Sequence, residues 1–546
     1  MEILEDVKRR TTDIISKIPT TLTSKQHHAD DHGPHMRGSW EKVKVPNLPR
    51  SSHSVDIVAG TAYVFGGEAE NARQPADNDM HAIVLPSSSA PADYYAIKAK
   101  SSKTIDISEA KNKSLETDES SETPAPRVGH ASAKIGHRIF VFGGRGGPDM
   151  TPLDEGGRVW VYDTRTNSWS PLDPVSPISG GTPTVPEPRS YHSAVAIDKP
   201  SNFNKPSSKP KADSNSRPGT SSSTSHNLVG DIGEGLIKRT NTIRDWATSD
   251  RDVEMVGTPQ HPIVGKIAEH AVDPDVDGYG TFIIHGGCLA SGKRTSDVWA
   301  FDVHSRIWQQ LPDAPGPARG GASLALSRSR LYRFGGFNGE TQEGDQLDYL
   351  DLVLEEFDDQ VSKGDASISA REGWKSLVQG KEDVGYKEPD PAPIPPKILG
   401  NTDAEEDQWP GARSVAGFEA ITVGGGREYL VLILGEKEGS GKGHDAAGKF
   451  WDDVWVYQVP PEGMSLASVG DKVMSVVGRK SREGKWTKVD TIPHDAEDIA
   501  SVGGPGPRGW IASAAMGELE ENGILIWGGL DSENKRLGDG WILRLL

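Results

Sequence analysis

The sequence predicts an all-β protein in which six small sheets surround a central axis, a β-propeller of six blades. Two repeated signals carry this prediction. An apolar run that ends on glycine occurs six times, as AYVFGG (62–67), RIFVFGG (138–144), TFIIHGG (281–287), LYRFGG (331–336), LVLILGE (430–436) and ILIWGG (524–529). An arginine precedes each run, at Arg50, Arg127, Arg189, Arg319, Arg413 and Arg508. A third strand signal follows each run, and tryptophan marks a fourth strand in several units. Four short strands at intervals of about fifty residues are typical of propeller blades.

The spacing within the units locates a long insertion in the third blade. Sixteen residues separate the arginine from the first glycine in units one, two and four, whereas 97 separate them in unit three. We therefore expect an insertion at 199–278 between the first two strands of blade three. Its first part is rich in Ser, Pro and Lys, a composition that predicts disorder. Further polar or Pro-rich linkers are expected at 100–124, 379–408 and 461–483.

The two ends of the repeat region complement each other. SWEKVKV (39–45) is a lone fourth-strand motif, whereas GWILRLL (540–546) is a third-strand motif that lacks a successor. The N-terminal strand is therefore expected to complete the last blade, which closes the ring and removes free sheet edges. The propeller is predicted over 39–546, and residues 1–38 are predicted to be a disordered or partly helical tail.

Composition and charge exclude several classes of function. The chain has 60 basic and 79 acidic residues, a net charge of −19, which argues against a nucleic-acid partner. The longest aliphatic stretch, 429–434, is far shorter than the ~20 residues that cross a bilayer. Cys288 is the single cysteine, so no internal disulfide is possible. The N-terminus lacks an apolar segment typical of a secretory signal. We expect a cytoplasmic protein without a membrane partner, and a nuclear location stays open.

Four strands per unit with a diglycine after the second resemble the kelch family over nearly all of the chain after residue 38. Several segments also resemble the plant nitrile-specifier, epithiospecifier and thiocyanate-forming proteins, which are kelch propellers that bind Fe(II) and direct the breakdown of activated glucosinolates. The segments are PRSSHS…YVFGGE (49–68), FGGR (142–145), ARGGAS…GFNG (318–339), ARSV (412–415) and PRGW…GILIWGG (507–529).

This second resemblance implies an iron site after the second strand of blade five. The motif of those proteins is Glu-x3-Asp-x3-His, and the same loop here is GEKEGSGKGHD, with Glu436, Ser440 and His444. Serine is a poor ligand for Fe(II), which prefers imidazole and carboxylate donors. Glu438 or Asp445 would have to supply the missing oxygen. The alternative is a flexible loop in which Glu436 and His444 occur incidentally and do not bind a metal.

The resemblance also implies residues that contact a substrate. Arg145 follows the diglycine of blade two and matches an arginine implicated in substrate contact. Arg294 lies in the corresponding loop of blade three, and Trp510 matches a tryptophan at the channel mouth. Arginines beside an aromatic ring and a metal would suit a small anionic substrate, such as a sulfated or carboxylated metabolite. The same residues would equally suit contact with a protein partner.

Two hypotheses about function follow. The favoured one is a binding or scaffold propeller that engages a protein partner through its mouth or its insertions, because the iron motif lacks its middle carboxylate. The alternative is an Fe(II)-dependent protein similar to the specifier proteins, with lyase or isomerase chemistry on a glucosinolate-like or other anionic metabolite. Whether the protein is an enzyme is left open at this point.

Overall fold

A computed structural model gives the fold of this chain. It describes residues 36–69, 74–87, 90–102, 122–178, 180–198, 280–356, 366–379, 408–424, 426–441, 446–460, 483–495 and 503–546. Most of the predicted tail 1–38, the insertion 199–278 and most of each predicted linker lie outside these ranges. No helix of sufficient length and apolarity to span a bilayer occurs in the described ranges.

The first three blades follow an N-terminal strand, β1 (Met36–Val43). Blade one contains β2 (Ser54–Val58), β3 (Thr61–Phe65), β4 (Met80–Val84) and β5 (Asp93–Ile97). Blade two contains β6 (Ala131–Ile135), β7 (Arg138–Phe142), a small hairpin of β8 (Arg145–Gly146) and β9 (Thr151–Pro152), then β10 (Val159–Asp163) and β11 (Ser168–Leu172). Blade three contains β12 (Arg189–Ser190), β13 (Ser193–Ile197), β14 (Thr281–His285), β15 (Cys288–Leu289), β16 (Val298–Asp302) and β17 (Ile307–Leu311).

The last three blades repeat this order. Blade four contains β18 (Ser323–Ser327), β19 (Arg330–Phe334), β20 (Gln346–Glu356), β21 (Ala366–Ala370) and β22 (Lys375–Val378). Blade five contains β23 (Gly417–Val423), β24 (Arg427–Ile433), β25 (Glu436–Glu438), β26 (Lys449–Phe450), β27 (Val454–Gln458) and β28 (Trp486–Pro493). Blade six contains β29 (Ala512–Ala515), a 3-10 turn (Gly517–Leu519), β30 (Gly523–Trp527) and β31 (Gly540–Leu545).

The sheets confirm the six-bladed propeller. Each blade is an antiparallel sheet whose first long strand is innermost, as in β6-β7-β10-β11 of blade two. The six inner strands contact their neighbours in the cyclic order β2, β6, β13, β18, β23, β29, and β29 contacts β2 again. The ring is therefore closed, and the inner strands line a central channel.

The N-terminal strand closes the last blade as expected. β1 pairs antiparallel with β31, with Trp40 opposite Leu543, and begins at Met36. Its other edge pairs in parallel with β28 of blade five. The sequence did not predict this second pairing. It is possible because β28 pairs with β27 only over Trp486–Lys488, so the following residues of β28 are free to bond β1. One continuous sheet therefore joins blades five and six.

Apolar side chains fill the spaces between neighbouring blades. Between blades one and two, Trp169 is fully buried, with its ring centroid 4.8 Å from Phe65 and 5.1 Å from Tyr162. Blade one lacks a tryptophan in its fourth strand, and Tyr94 stacks there on His81 instead. Burial of such large rings is a main source of stability in a fold whose strands are short.

The six repeated arginines belong to the scaffold. All six residues are buried, each at most 5% exposed, and each forms an ion pair with a carboxylate that precedes the third strand. The carboxylates are Asp77, Glu155, Asp297, Glu343, Asp453 and Asp539. In five blades the arginine also donates to a carbonyl at the end of the second strand. In these five blades the arginine therefore ties the start of the blade to the glycine turn after its second strand.

Candidate functional site: the propeller mouth

A closed ring of backbone hydrogen bonds surrounds one end of the channel. We call it the collar, and it consists of the second residue after each repeated arginine: Ser52, Gly129, Tyr191, Gly321, Val415 and Trp510. Each residue accepts at its carbonyl from the amide of the next blade and donates its own amide to the preceding one, at N···O distances of 2.6–3.1 Å. The collar fixes the six blades relative to one another at this end.

All six collar residues have a left-handed backbone, with φ between +48° and +63°. This conformation costs roughly 1–2 kcal/mol for a residue other than glycine. Four of the six residues are not glycine, and Val415, Tyr191 and Trp510 are branched or bulky. Strain of this kind persists only where the surrounding structure enforces it, and it concentrates at functional sites.

Two aromatic side chains of the collar form the floor of the mouth. The ring of Tyr191 lies over Gly129, where an added Cβ would be 2.6 Å from Tyr191 Cε1. Trp510 contacts Tyr191 edge to face, with ring centroids 5.3 Å apart. Enclosure by the protein raises the pKa of Tyr191 to about 12, so its hydroxyl stays protonated at neutral pH.

A second circle of residues, the rim, surrounds the collar. It consists of the residue that follows each glycine turn: Glu68, Arg145, Cys288, Phe337, Glu436 and Leu530. Each is paired through its backbone with the residue that precedes the collar position of its own blade. The six rim side chains therefore start from equivalent positions around one mouth.

One sector of the rim is cationic. Arg145 donates from Nε and Nη2 to Ser190 Oγ, at 3.0 and 2.8 Å, and its guanidinium lies 4.8 Å from the Tyr191 ring centre. Arg294 lies 4.9 Å from the Phe337 ring centre. Cys288 lies near both arginines. Burial raises the pKa of its thiol, whereas the positive charges of Arg294 and Arg145 lower it. Neither arginine forms an ion pair with another described residue, and this sector carries two positive charges.

The opposite sector carries a carboxylate without a cation. Glu436 accepts from Gln342 Nε2 at 3.3 Å and is hydrogen-bonded by the Trp510 side chain. Burial raises the pKa of Glu436 above its ordinary value, which these hydrogen bonds partly offset. The remaining acidic rim residue, Glu68, is neutralised by Arg536 at 2.8 Å. Within the described ranges, Glu436 is thus the acidic rim residue that has no ion pair.

The structure brings four of the predicted site residues together. Arg145, Arg294, Trp510 and Glu436 all lie at this mouth. Glu438 is two residues beyond the rim, exposed, and paired with Lys449 at 2.7 Å. His444 and Asp445 lie outside the described residues. No group of three or more potential metal ligands occurs in the part of the chain that is described.

Sequence reasoning missed Tyr191 and Gln342. A signal for Tyr191 was present, because it follows Arg189 by two residues as Trp510 follows Arg508. The carboxylate partners of the arginines had a signal too, since Asp297, Asp453 and Asp539 each stand two residues before the tryptophan of a third strand. Gln342 had none, because its role depends on a loop of blade four reaching blade five.

Two carboxyl groups line the channel below the collar. Asp56 of β2 accepts from Ser132 Oγ at 2.5 Å, and Glu419 of β23 accepts from Ser513 Oγ at 2.6 Å. Burial raises the pKa of Asp56 to about 6 and that of Glu419 to about 7. The charge of Asp56 adds to the upward shift of the Glu419 pKa, whereas Lys134 opposes it. Protonation of these groups therefore falls within the physiological pH range.

Comparison with known proteins agrees with the repeat architecture. The family model described as "Kelch motif" matches residues 126–176, which is blade two with its arginine. Human Kelch domain-containing protein 3 is 40% identical over 74 residues, 13% of this chain and 19% of that protein. Human Host cell factor 2 is 28% identical over 175 residues, 30% of this chain and 19% of that protein.

Two further similarities are to a plant protein and to a solved structure. The rice tRNA wybutosine-synthesizing protein 2/3/4 (Oryza sativa subsp. japonica) is 36% identical over 77 residues, 14% of this chain and 6% of that protein. The solved "Structure of YjhT" is similar over 91% of this chain and 95% of the other, with 14% identity and a TM-score of 0.41. The matches span a fifth or less of the length of these curated relatives. The matched Kelch motif and the curated relatives support kelch-type repeats in this chain.

Proposed function

We propose that this protein is a binding propeller whose mouth receives an acidic segment of a partner protein. The kelch-repeat similarity supports a binding or scaffold role in general. The observation that carries the specific proposal is the cationic sector, where Arg145 and Arg294 are held by aromatic rings and lack carboxylate partners in the described ranges. Arginine binds carboxylates through paired hydrogen bonds, and partial burial strengthens such contacts.

The floor of the mouth favours this role. Tyr191 and Trp510 offer rigid aromatic surface next to the cationic sector, and such residues dominate the binding energy of many protein interfaces. The collar holds both rings through strained backbone, so little conformational entropy is lost when a ligand binds. Net charge on the whole chain is −19, so attraction of an acidic partner has to come from this local cationic sector.

Selection from a random peptide library tests the proposal. Twelve-residue peptides displayed on phage are selected on the wild-type protein, and the enriched peptides are then measured on the Arg145→Gln/Arg294→Gln double variant. We expect the enriched sequences to share an acidic residue and to lose binding to the double variant. Enrichment of peptides without an acidic residue, or equal binding to both proteins, would contradict it. Arg306→Gln is the matched control, because this exposed arginine lies in the turn between β16 and β17 at the opposite end of blade three.

Iron-dependent action on a small anionic metabolite is the second proposal. Its support is the position of Glu436, a half-buried carboxylate on the same mouth as Arg145 and Arg294. Glu436 and His444 would be the first two ligands of Fe(II), with an oxygen from Glu438 or Asp445. When bound, the metal would supply Lewis-acid or redox chemistry beside the cationic sector. A cytoplasmic location likewise stays a prediction.

A further inference from the structure

The two sectors of the mouth differ in charge, and each contains a buried polar atom without a hydrogen bond. In the cationic sector this atom is Arg294 Nε, a donor. In the opposite sector it is Gln342 Oε1, an acceptor. Buried polar atoms are nearly always hydrogen-bonded in folded proteins, and leaving one unpaired costs about 1–3 kcal/mol. Unpaired atoms within one mouth therefore indicate groups that a ligand satisfies.

The orientation of Gln342 follows from its neighbour. Its Nε2 faces Glu436 Oε2 at 3.3 Å, because the reverse orientation would place two acceptors against each other. Gln342 Oε1 is thus directed away from the Glu436 carboxylate. The mouth therefore has two neighbouring hydrogen-bond acceptors here, Gln342 Oε1 and the carboxylate. A ligand that satisfies both Gln342 Oε1 and Glu436 must carry hydrogen-bond donors, and a positively charged donor would also neutralise Glu436.

The cationic and acidic sectors are connected by continuous contacts. Arg145 lies on Tyr191, Tyr191 contacts Trp510, and the Trp510 side chain bonds Glu436. The first two contacts measure 4.8 and 5.3 Å, so the series is on the order of 15 Å long, which an extended peptide covers in about four to five residues at ~3.3 Å per residue. On the other side, Phe337 is bridged to Gln342, and the Arg294 guanidinium lies over the Phe337 ring and against Gly339 of the same loop.

We propose that the occupant of the mouth is a bipolar peptide segment, in which an acidic residue binds Arg145 and Arg294 and a basic residue no more than about four positions away binds Glu436 and Gln342. This inference rests on the proposed peptide-binding function and adds the second, cationic half of the ligand. It distinguishes this mouth from a simple anion site, because a purely acidic segment would leave Glu436 and Gln342 Oε1 unsatisfied and would be repelled by the carboxylate.

The enriched library peptides test the inference. We expect them to contain Lys or Arg at a fixed distance, within four residues, of the shared acidic residue. Replacement of that basic residue by norleucine should weaken binding to the wild-type protein about tenfold, measured by fluorescence anisotropy. The same replacement should weaken binding to Glu436→Gln or Gln342→Met by a smaller factor than it weakens binding to the wild type, because each variant removes one of the two groups that hold the basic residue. Two variants are used so that one remains if the other does not fold, as judged by thermal melting.

The outcomes separate the two proposals. If the enriched peptides share an acidic residue but no basic one, or if norleucine is tolerated by the wild-type protein, the bipolar inference is wrong and acidic-segment binding stands. If norleucine weakens binding equally in the wild type and both variants, the basic residue binds elsewhere and the inference is also wrong. If no acidic peptide is enriched, both proposals fail.

Discussion

Tyr191 and Trp510 meet edge to face across the axis of the propeller, with ring centroids 5.3 Å apart and ring planes at 78°. Tyr191 belongs to blade three and Trp510 to blade six, which are opposite each other in a ring of six. Their contact therefore crosses the channel and closes it at the collar. A ligand bound at the mouth would rest on these rings.

The packing of Tyr191 on Gly129 predicts the effect of a single methyl group. In Gly129→Ala the new Cβ would be 2.6 Å from Tyr191 Cε1, at a φ of +63°. Gly156→Ala is the matched control, with a φ of +62° and no atom within 4 Å of the added Cβ. Because the backbone cost is shared, we expect Gly129→Ala to lower the free energy of unfolding by about 1–3 kcal/mol more than the control in urea denaturation. Equal losses would show that Tyr191 is not fixed on Gly129.

The closure of the ring predicts a sharp boundary for N-terminal truncation. β1 contributes the buried residues Trp40 and Val43 and pairs with both β31 and β28. Deletion of residues 1–45 should lower the melting temperature strongly, since it exposes two sheet edges and apolar surface. Deletion of residues 1–35 leaves β1 intact and serves as the control. Equal melting temperatures for the two truncations would be inconsistent with closure by β1.

The arginine–carboxylate pairs predict which charges matter for stability. Arg413 is 1% exposed, and its Nη1 lies 2.7 Å from Asp453 Oδ1. Arg413→Met leaves a buried carboxylate without its partner, and we expect a loss of about 3–5 kcal/mol in the free energy of unfolding. Arg158→Met removes a pair to the exposed Asp173 and should cost less than about 1 kcal/mol. Similar losses for both variants would contradict a scaffold role for the repeated arginines.

The repeat architecture was predictable from sequence because each blade uses the same residues for the same contacts. Arginine, glycine turn and third strand recur in the same order in every blade, with sixteen residues from arginine to glycine in blades one, two and four, since each fills an equivalent position in its blade. The collar residues keep a constant spacing of two residues after each repeated arginine, and three of the six scaffold acids stand two residues before a tryptophan, so part of both sets follows a local pattern. The extra pairing of β1 with β28 and the link from Gln342 to Glu436 were not predictable in this way. Both depend on how two adjacent blades meet, which no local pattern encodes.

The channel carboxyls predict that stability decreases as pH rises. The pKa of Glu419 is about 7 in the folded protein, above its ordinary 4.5. The folded state therefore holds its proton more tightly, and this stabilisation is present below pH 4.5 and is lost as pH rises through 7. Glu419→Gln should reduce the pH dependence, leaving the part that Asp56 contributes, and should stabilise the protein at pH 8 by about 1–2 kcal/mol, which is less than the full pKa shift would give because water screens the channel. Urea denaturation at pH 5 and pH 8 measures this. Glu518→Gln, at an exposed position, is the control, and an unchanged pH dependence in Glu419→Gln would contradict the assignment.

The iron proposal predicts the effect of restoring the middle carboxylate. Ser440→Asp adds a hard anionic ligand and should tighten Fe(II) binding, whereas His444→Ala removes the one imidazole of the motif and should abolish it. Anaerobic titration of Fe(II) into the wild type, Ser440→Asp and His444→Ala in both backgrounds measures these affinities. If Ser440→Asp binds no better than the wild type, or if binding survives the loss of His444, the loop is not an iron site.

Calorimetric titration of the most strongly enriched acidic peptide tests the central claim most directly, because it measures the affinity of the mouth for the ligand class assigned to it. The peptide is titrated into the wild type, Arg145→Gln, Arg294→Gln and the control Arg306→Gln. We expect each mouth variant to raise the dissociation constant about tenfold or more, because a charge-assisted pair is lost. Arg306→Gln should bind the peptide as the wild type does. The same dissociation constant for all four proteins would contradict binding of an acidic segment at this mouth.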